Sequence, residues 1–391
     1  MRSIKEVELK SQRVLMRVDF NVPMDKEGNI TDDARITAAI PTIEYISGQG
    51  ARLILMSHLG RPDGQRNEKY SLKPVAAHLS KLLHREVKMA DDCVGPQVSA
   101  AIESLQGGEI ILLENVRFHA GEEENDPEFS KQLAAWGDVF VNDAFGTAHR
   151  AHSSTAGVAD FLPAYAGFLL EKEVKMLRKV MEHPESPRVA VLGGAKIKDK
   201  LGLISNLLDK MDVLLIGGGM ANTFLKAQGV NIGKSICEDK LLDEARCMMQ
   251  TAKEKKRTII LPLDAVLADA LEEDAAAGVY DINAIPADKM ILDIGPKTVA
   301  VFVQEIGRAH TVIWNGPVGA YEYEQFSSGT NEIARAMAVS QAVTVIGGGD
   351  SAAAVHKMGL DEEFTHISTG GGATLELLEG KILPGVRSCE W

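Results

Sequence analysis

Short, continuous runs of apolar residues, many of them β-branched, recur along the whole chain, and a helix-like stretch follows each run. In the first half the runs include Val14–Val18, Leu53–Met56, Ile110–Leu113 and Val139–Val141. In the second half they include Val189–Leu192, Val213–Ile216, Thr258–Leu261, Val312–Trp314 and Val343–Ile346. Runs that do not alternate with polar residues are typical of parallel strands buried on both faces. The pattern predicts an α/β fold built from βαβ units in doubly wound parallel sheets.

The length of the chain favours two domains. Single hydrophobic cores usually stop growing well before 391 residues. Near the middle, the charged stretch Glu171–Glu182 has helical character and ends before Pro184 and Pro187, which predicts a connecting helix. We therefore expect a first domain over residues 1–168, a connecting helix or hinge over 169–185, and a second domain over 186–379.

Composition excludes several classes of function. The formal net charge of −13 argues against nucleic acid as a partner. No apolar run is long enough to span a bilayer, and the chain does not begin with an apolar signal segment, so we expect a cytoplasmic protein without a membrane partner. The four cysteines form no C-x-x-C pair, and no histidines cluster near them in sequence, which argues against a zinc or redox site.

Polar and charged residues follow the predicted strands of the first half, and ten arginines precede residue 151 while seven follow it. Ligands of open α/β sheets bind at the carboxyl ends of the strands, and the planar guanidinium fork suits carboxylates and phosphates. The candidates for binding a compact anion are Arg35, Arg61, Arg117, Arg150 and His58, with Asp19 and Asn21 placed for a hydroxyl of the same ligand. The alternative is that each arginine is an ordinary solvated charge, and for His149 and His152 we favour a structural role.

Glycines follow the strands of the second half and are typical of a nucleotide site. Gly-rich turns that run into helices, such as those at Gly347–Ser351 and Gly370–Gly372, present backbone N–H groups to phosphates. Asp350 offers a carboxylate to the Mg²⁺ of a nucleotide. Lys196 and Lys200 share a helix face after a glycine turn, where they could cover the charge of a transferring phosphoryl group. The alternative is that the glycines serve tight turns and the lysines solvate a helix.

Two partial motifs bear on rival functions. Gly229–Ser235 resembles a phosphate-binding P-loop, but it has three residues between its glycines instead of four, and we reject it. Gly347–Ala352 fits a loose dinucleotide fingerprint, but the acid expected about twenty residues later is absent. The alternatives left open are an NAD-dependent dehydrogenase of a small acid and a non-catalytic two-domain protein that binds phosphorylated solutes.

Nine motifs, in order and spread over essentially the whole chain, resemble the phosphoglycerate kinase family. They are RVDFNVP (17–23), SHLGRPDG (57–64), ENVRFH (114–119), NDAFGTAHRAHSS (142–154), GGAKIKDK (193–200), GGGMANTFLK (217–226), WNGPVGAYE (314–322), GGGDSAAA (347–354) and TGGGATLELLEGKILPGV (369–386). The resemblance implies two Rossmann-like domains that face each other across a cleft, with the tail 380–391 packed back on the first. It also implies a monomer that transfers a phosphoryl group between MgATP or MgADP and 3-phosphoglycerate or 1,3-bisphosphoglycerate, in glycolysis and gluconeogenesis.

The resemblance further implies a role for individual residues. Those implied to bind 3-phosphoglycerate are Asp19, Phe20, Asn21, Arg35, His58, Leu59, Gly60, Arg61, Arg117 and Arg150. Those implied to bind the nucleotide are Lys200, Gly295, Glu322, Gly348, Gly349, Asp350 and Ser351, with Asp350 on the metal. Those implied to neutralise the transferring group are Arg35, Lys196, Lys200 and the amide of Gly372. Ser351 stands where the family usually has threonine, which preserves the hydroxyl.

Overall fold

The computed structural model describes residues 1–390, and its internal contacts divide the chain into two compact units. Unit 1 consists of residues 1–175 together with the chain from residue 382 onward, and unit 2 consists of residues 176–381. The boundary near residue 175 falls inside one helix, Phe168–Glu182, which both units share.

Unit 1 is built around a parallel six-stranded sheet with helices between its strands. The strands are β1 (Arg13–Arg17), β2 (Arg52–Met56), β3 (Lys88–Met89), β4 (Ile110–Leu112), β5 (Val139–Asn142) and β6 (Ala164–Ala166). The helices are α1 (Ala34–Gly48), α2 (Lys73–Leu82), α3 (Pro96–Glu103), α4 (Gly121–Glu124), α5 (Pro127–Ala134) and the shared α6 (Phe168–Glu182). The spatial order is β3-β4-β2-β1-β5-β6, so the chain reverses its direction of winding between β1 and β5.

Unit 2 contains a second parallel six-stranded sheet and a small antiparallel one. The strands are β7 (Arg188–Leu192), β8 (Val213–Ile216), β9 (Thr258–Ile260), β10 (Asp264–Ala268), β11 (Gly278–Asp281), β12 (Met290–Ile294), β13 (Thr311–Asn315), β14 (Val343–Gly347) and β15 (His366–Ile367). The helices are α7 (Leu201–Lys210), α8 (Gly218–Ala227), α9 (Leu242–Glu254), α10 (Pro296–Arg308), α11 (Ser328–Ala338), α12 (Gly349–Lys357) and α13 (Gly372–Leu378). The large sheet has the order β15-β14-β13-β7-β8-β9, and its direction of winding reverses between β7 and β13.

The apolar runs form the centres of both sheets, as the sequence predicts. In unit 1, Val14 and Met16 of β1 are fully buried and pair in parallel register with Leu53 and Leu55 of β2. In unit 2, Trp314 of β13 is fully buried and pairs in parallel with β7 and β14. Helices cover both faces of such strands, which is why the runs have no polar alternation. The predicted doubly wound α/β fold is confirmed.

The three-stranded antiparallel sheet, of order β11-β10-β12, was not predicted. Its edge strand β11 alternates between exposed and half-buried residues, and β10 begins with the charged Asp264. Short strands of mixed polarity lack the continuous apolar signature that identified the large sheets.

The C-terminal segment of unit 1, up to Glu390, packs against the end of β5 and the loop that follows it. The short helix α14 (Pro384–Arg387) places Gly385 beside Ala148, where the Gly385 amide donates to the Ala148 carbonyl oxygen at 2.8 Å. The Asn142 side chain at the end of β5 donates to the Gly385 carbonyl oxygen at 3.2 Å. This tail therefore buttresses the loop that carries His149 and Arg150. Within residues 1–390, no helix is long and apolar enough to cross a membrane.

Candidate active site

The switch point of the unit 1 sheet, between β1 and β5, carries a cluster of charged residues. Asp19 follows β1 and is nearly buried, and the Arg35 guanidinium approaches its two carboxylate oxygens at 3.3 Å each. The same Arg35 nitrogen donates to the Asn21 carbonyl oxygen at 3.0 Å. Gly146, in the loop after β5, lies so close that an added Cβ would be 2.4 Å from the Asp19 carboxylate. Asp19, Asn21 and Arg35 are therefore held together where an open α/β sheet binds its ligand.

A second set of contacts joins the ends of β1, β2 and β4. The Asn21 side-chain oxygen accepts from the Gly60 amide at 2.9 Å, and the Arg117 guanidinium donates to the Gly60 carbonyl oxygen at 2.9 Å. Arg117 is almost fully buried and pairs with Glu123 at 3.4 Å. Gly60 has φ of +62°, and an added Cβ would lie 2.4 Å from the Tyr70 ring. Glycine is thus required at the residue that links Asn21 to Arg117.

His58 lies within this cluster and is nearly buried. Its Nδ1 lies 3.1 Å from the Arg17 guanidinium, which can only donate, so Nδ1 is the acceptor and the proton resides on Nε2. Burial, followed by the charges of Arg17, Arg117, Arg35 and Arg150, lowers the pKa of His58 well below its usual value. His58 therefore stays neutral at physiological pH and can donate one hydrogen bond from Nε2.

Two residues beneath the cluster were not singled out from the sequence, namely Arg17 and Glu122. Arg17 is fully buried at the end of β1 and donates to the Ser154 hydroxyl at 2.7 Å. The Glu122 carboxylate, also fully buried, accepts from the Ser154 hydroxyl at 2.6 Å and from its amide at 2.9 Å. Burial raises the pKa of Glu122, and the Arg17 charge opposes that rise. The hydrogen-bonded chain Arg17–Ser154–Glu122 therefore holds the buried side of the site in place. In the sequence, the one sign of this chain is that Arg17 stands two residues before Asp19.

The remaining residues of the predicted anion site differ in their surroundings. Arg61 is exposed and forms no hydrogen bond or salt bridge within residues 1–390. Arg150 is half-buried and donates from Nε to the ring of His149 at 3.4 Å. Phe20 and Leu59 are buried. The structure thus brings Asp19, Asn21, Arg35, His58, Gly60, Arg117 and Arg150 into one region, with Arg61 solvated beside it.

The switch point of the large unit 2 sheet carries Lys200. Its ammonium donates to the Gly193 carbonyl oxygen at 2.6 Å, after β7, and to the Asn315 carbonyl oxygen at 2.8 Å, at the end of β13. Burial lowers the pKa of Lys200 to about 8, against the opposing charges of Asp350 and Asp199. An ammonium has three N–H donors, so one remains for a ligand.

A cavity of about 470 Å³ lies beside the loops that follow β7 and β13, and all of its lining residues belong to unit 2. Its walls are mostly glycines and apolar side chains, together with the buried Asn222 and Asp293. Glu322 and Asp350 are the two exposed carboxylates at its margin. The glycines of the lining contribute no side chains to the cavity. At Gly219, for example, there is no room for one, because an added Cβ would lie 2.4 Å from the Ile236 side chain. A flat apolar group with a polar end fits such a cavity.

Helix α12 begins at the edge of this cavity. Its N-cap Gly348 has φ of +99°, a conformation that favours glycine, and Gly349 and Asp350 in its first turn are exposed. The first N–H groups of a helix have no partner within it and attract anions. Ser351 is buried instead, and its hydroxyl accepts from the Gly316 amide at 2.7 Å, which holds the loop after β13 in place.

Of the nine predicted residues of unit 2, two line the cavity, namely Glu322 and Asp350, and the seven outside its lining include Lys196, Gly295 and Gly372. Lys196 is exposed and forms no hydrogen bond or salt bridge within residues 1–390. Gly295 is buried, and its amide donates to the Asp264 carbonyl oxygen at 2.9 Å. The Asp264 carboxylate also caps the start of α10, accepting from the Thr298 amide at 2.9 Å. Gly372 is exposed at the start of α13. The polar atoms of Lys196 and Gly372 are thus accessible, whereas the Gly295 amide is already bonded.

Comparison with known proteins places the chain in a family. The family model described as "Phosphoglycerate kinase" matches residues 4–381. The phosphoglycerate kinase of Borrelia hermsii is 52% identical over 390 residues, covering 100% of this chain and 99% of that protein. The phosphoglycerate kinase of Moorella thermoacetica is 55% identical over 384 residues, covering 98% of each.

Solved structures agree with the sequence comparison. The phosphoglycerate kinase structure from Coxiella burnetii matches with a TM-score of 0.92 and 46% identity, covering 99% of this chain and 98% of that one. The structure from Pyrococcus horikoshii matches with a TM-score of 0.85 and 35% identity. Neither the dehydrogenase nor the non-catalytic binding protein is supported by these matches. By its sequence, its fold and the residues at its two switch points, the chain belongs to the phosphoglycerate kinase family.

Proposed function

We propose that this chain transfers a phosphoryl group reversibly between MgATP and the carboxylate of 3-phosphoglycerate. The observation that carries the proposal is the arginine cluster around a histidine that stays neutral. A carboxylate acceptor is already ionised at neutral pH, with a reference pKa of roughly 4, so it needs no general base. A site rich in fixed cations is suited to that acceptor.

The acid binds in unit 1. Arg35, Arg117 and Arg150 supply guanidinium groups for its phosphate and carboxylate, and the exposed Arg61 joins them when the ligand is present. Neutral His58 donates from Nε2, and the Asp19 carboxylate accepts from the hydroxyl of the ligand. Because Arg35 already contacts both Asp19 and Asn21, the acid must share this arginine with them.

The nucleotide binds in unit 2. The apolar 470 Å³ cavity takes the base, Glu322 at its margin accepts from ribose hydroxyls, and the start of α12 receives phosphate oxygens on its backbone N–H groups. The Gly295 amide plays no part in this binding unless it leaves Asp264.

The residues present fit the Mg²⁺ of a nucleotide. The Asp350 carboxylate is exposed, borders the cavity, and forms no hydrogen bond or salt bridge within residues 1–390. Mg²⁺ is usually held by one or two carboxylates together with phosphates and water, which agrees with a carboxylate at the start of α12, where phosphates would bind. The ion would neutralise charge on the phosphate oxygens.

Transfer itself requires alignment and charge stabilisation more than covalent help. Lys200, Lys196, Arg35 and the Gly372 amide are the groups proposed to neutralise the transferring phosphoryl. Because an acyl phosphate hydrolyses readily, water must be excluded while the group moves. With one ligand site on each unit, we further propose closure about a hinge that includes α6, in a monomeric cytoplasmic enzyme of glycolysis and gluconeogenesis.

The test is a coupled assay of ADP formation from MgATP and 3-phosphoglycerate, run on the wild type, Arg35→Ala and a matched control, Arg52→Ala. Arg52 lies at the opposite, amino-terminal end of β2, where its only side-chain hydrogen bond within residues 1–390 is a long one of 3.5 Å to the Ser11 carbonyl oxygen. We expect at least a roughly 100-fold loss in Arg35→Ala and near-normal turnover in Arg52→Ala. Equal activity of the two variants would refute the assigned acid site, and no turnover in the wild type would refute the function.

A further inference from the structure

Three side chains that bind metals in many proteins meet in unit 1, away from the proposed acid site. Asp92, Cys93 and His119 each offer one ligand atom, and these atoms all lie within 4.8 Å of one another. The sequence gives little sign of this, because 26 residues separate His119 from Cys93. The sequence argument against a zinc site considered only residues close to the cysteines along the chain, whereas the fold brings His119 to Cys93.

Asp92 stands at the centre of the cluster. Its carboxylate accepts from the His119 ring nitrogen Nε2 at 2.7 Å and from the Cys93 amide at 2.7 Å. The Cys93 sulfur lies within 4.8 Å of the Asp92 and His119 ligand atoms. The three potential ligand atoms are thus close enough together for a single divalent ion to contact all of them.

The surroundings give the cluster a rigid inner side and an open outer one. Cys93 is fully buried, and its carbonyl oxygen accepts from the Trp136 indole at 2.9 Å. The His119 ring stacks on Phe129, with 5.1 Å between centroids. The side chains of His119 and Asp92 are 32% and 44% exposed, so an ion could enter from solvent and keep water as a further ligand.

We propose that Asp92, Cys93 and His119 form a binding site for a divalent ion of the zinc class. Thiolate with imidazole and carboxylate suits Zn²⁺ and Co²⁺, whereas Mg²⁺ prefers oxygen ligands alone. On binding, the Cys93 thiol loses its proton to solvent, and the His119 ring changes tautomer: the proton moves from Nε2 to Nδ1, so that the Nε2 lone pair binds the metal. Nothing is oxidised or reduced.

The site lies next to a segment that the proposed acid site uses. His119 directly follows the 3₁₀ turn Val116–Phe118, which carries Arg117, and the Asp92 carbonyl oxygen accepts from the Glu114 amide at 3.3 Å. A bound ion would tie the loop at Asp92 to the segment that holds Arg117. This consequence rests on the proposed function, but the metal site itself does not.

The experiment is a titration of chelator-stripped protein with Co²⁺, followed by sulfur-to-metal charge-transfer absorption, and with Zn²⁺ in competition with a chromophoric chelator. The variants are Cys93→Ser, His119→Gln and Asp92→Asn, and the control is Cys247→Ser, which changes an exposed cysteine of unit 2. We expect one Co²⁺ per chain with a charge-transfer band that persists in Cys247→Ser and vanishes in Cys93→Ser. Affinity should fall more than about 100-fold in His119→Gln, because even partners of ligands change affinity about 10- to 100-fold.

Thermal melts keep the test decisive if Cys93→Ser folds poorly. Excess Zn²⁺ should raise the melting temperature of the wild type and of Cys247→Ser, and leave Asp92→Asn and His119→Gln unchanged. The proposal is overturned if the wild type shows no charge-transfer band, or if the band survives in Cys93→Ser and disappears in a Cys237→Ser variant. These readouts do not involve ATP or 3-phosphoglycerate, so they can fail while the kinase activity stands.

Discussion

Replacement of Lys200 tests how the switch point of unit 2 works. Two of the three ammonium donors are engaged by the Gly193 and Asn315 carbonyl oxygens, and the third is available for a phosphate oxygen. Lys200→Met removes the charge and that donor with little change in length. We predict that it slows transfer while the fold is retained, which a thermal melt of the variant checks.

The magnitude follows from the one free donor and from the pKa. A hydrogen bond from a charged donor contributes about 1.5–3 kcal/mol, and a donor aimed at developing negative charge typically changes kcat by about 10²- to 10³-fold. We therefore expect a loss of about 10²- to 10³-fold in Lys200→Met. Since burial lowers the pKa of Lys200 to about 8, the ammonium loses its charge as pH rises through that value. At about pH 9 only roughly a tenth of the molecules keep the charge, so kcat/KM for MgATP should fall about tenfold.

The assay is the pH dependence of kcat/KM for MgATP in the wild type, Lys200→Met, Lys200→Arg and the control Lys198→Met. Lys198 is exposed; its backbone N–H donates to Glu238, and its side chain forms no hydrogen bond to any of the described residues, 1–390. The wild type and Lys198→Met should both decline above about pH 8, whereas Lys200→Arg keeps its charge and should stay level. A decline that persists in Lys200→Met and Lys200→Arg would refute the assignment to this ammonium.

Three further predictions concern the supports of the site. At Gly60, where an added Cβ would lie 2.4 Å from the Tyr70 ring, Gly60→Ala should raise the KM for 3-phosphoglycerate roughly tenfold and leave that for MgATP unchanged in steady-state assays. Burial raises the pKa of Asp143 from 3.8 to about 7, so the stability that the protonated side chain contributes is full below about pH 4 and is lost as the pH rises through 7. Denaturant titrations should show the free energy of unfolding of the wild type, relative to Asp143→Asn, falling by roughly 3–4 kcal/mol over that range. A difference that does not change with pH would contradict this. Asp264→Ala removes the cap of α10 and the hydrogen bond from the Thr298 hydroxyl at 2.7 Å. It should therefore lower the free energy of unfolding by about 2–4 kcal/mol in denaturant titrations. An unchanged denaturation midpoint would contradict the capping role.

The parallel sheets could be predicted because their chemistry is local. A strand such as Val213–Ile216 was identified with its observed bounds, since every residue of it is apolar and both faces are covered. The carboxyl ends of such strands then indicate where binding residues lie, which is how Asp19, His58 and Asp350 came to be singled out. The small antiparallel sheet was missed because β11 is partly exposed and mixed in polarity.

Contacts between residues distant in sequence could not be predicted. The pairing of Arg17 with Ser154 and Glu122 closes over more than 100 residues, and the approach of His119 to Cys93 depends on the loops after β3 and β4. Likewise, the sequence shows a hydroxyl at Ser351 but not that it is bonded to the Gly316 amide. Such details follow from packing, which periodicity and residue type do not report.

The most direct test of the account is to follow the phosphoryl group itself. ATP labelled in its terminal phosphate is incubated with Mg²⁺, 3-phosphoglycerate and the protein, and the acyl phosphate is trapped with hydroxylamine. The account predicts a hydroxamate of the acid and one labelled phosphate released for each ADP, only when both substrates are present, with Arg35→Ala and Lys200→Met greatly reduced. Release of labelled phosphate without the hydroxamate, or ADP formation that does not depend on 3-phosphoglycerate, would contradict transfer to a carboxylate.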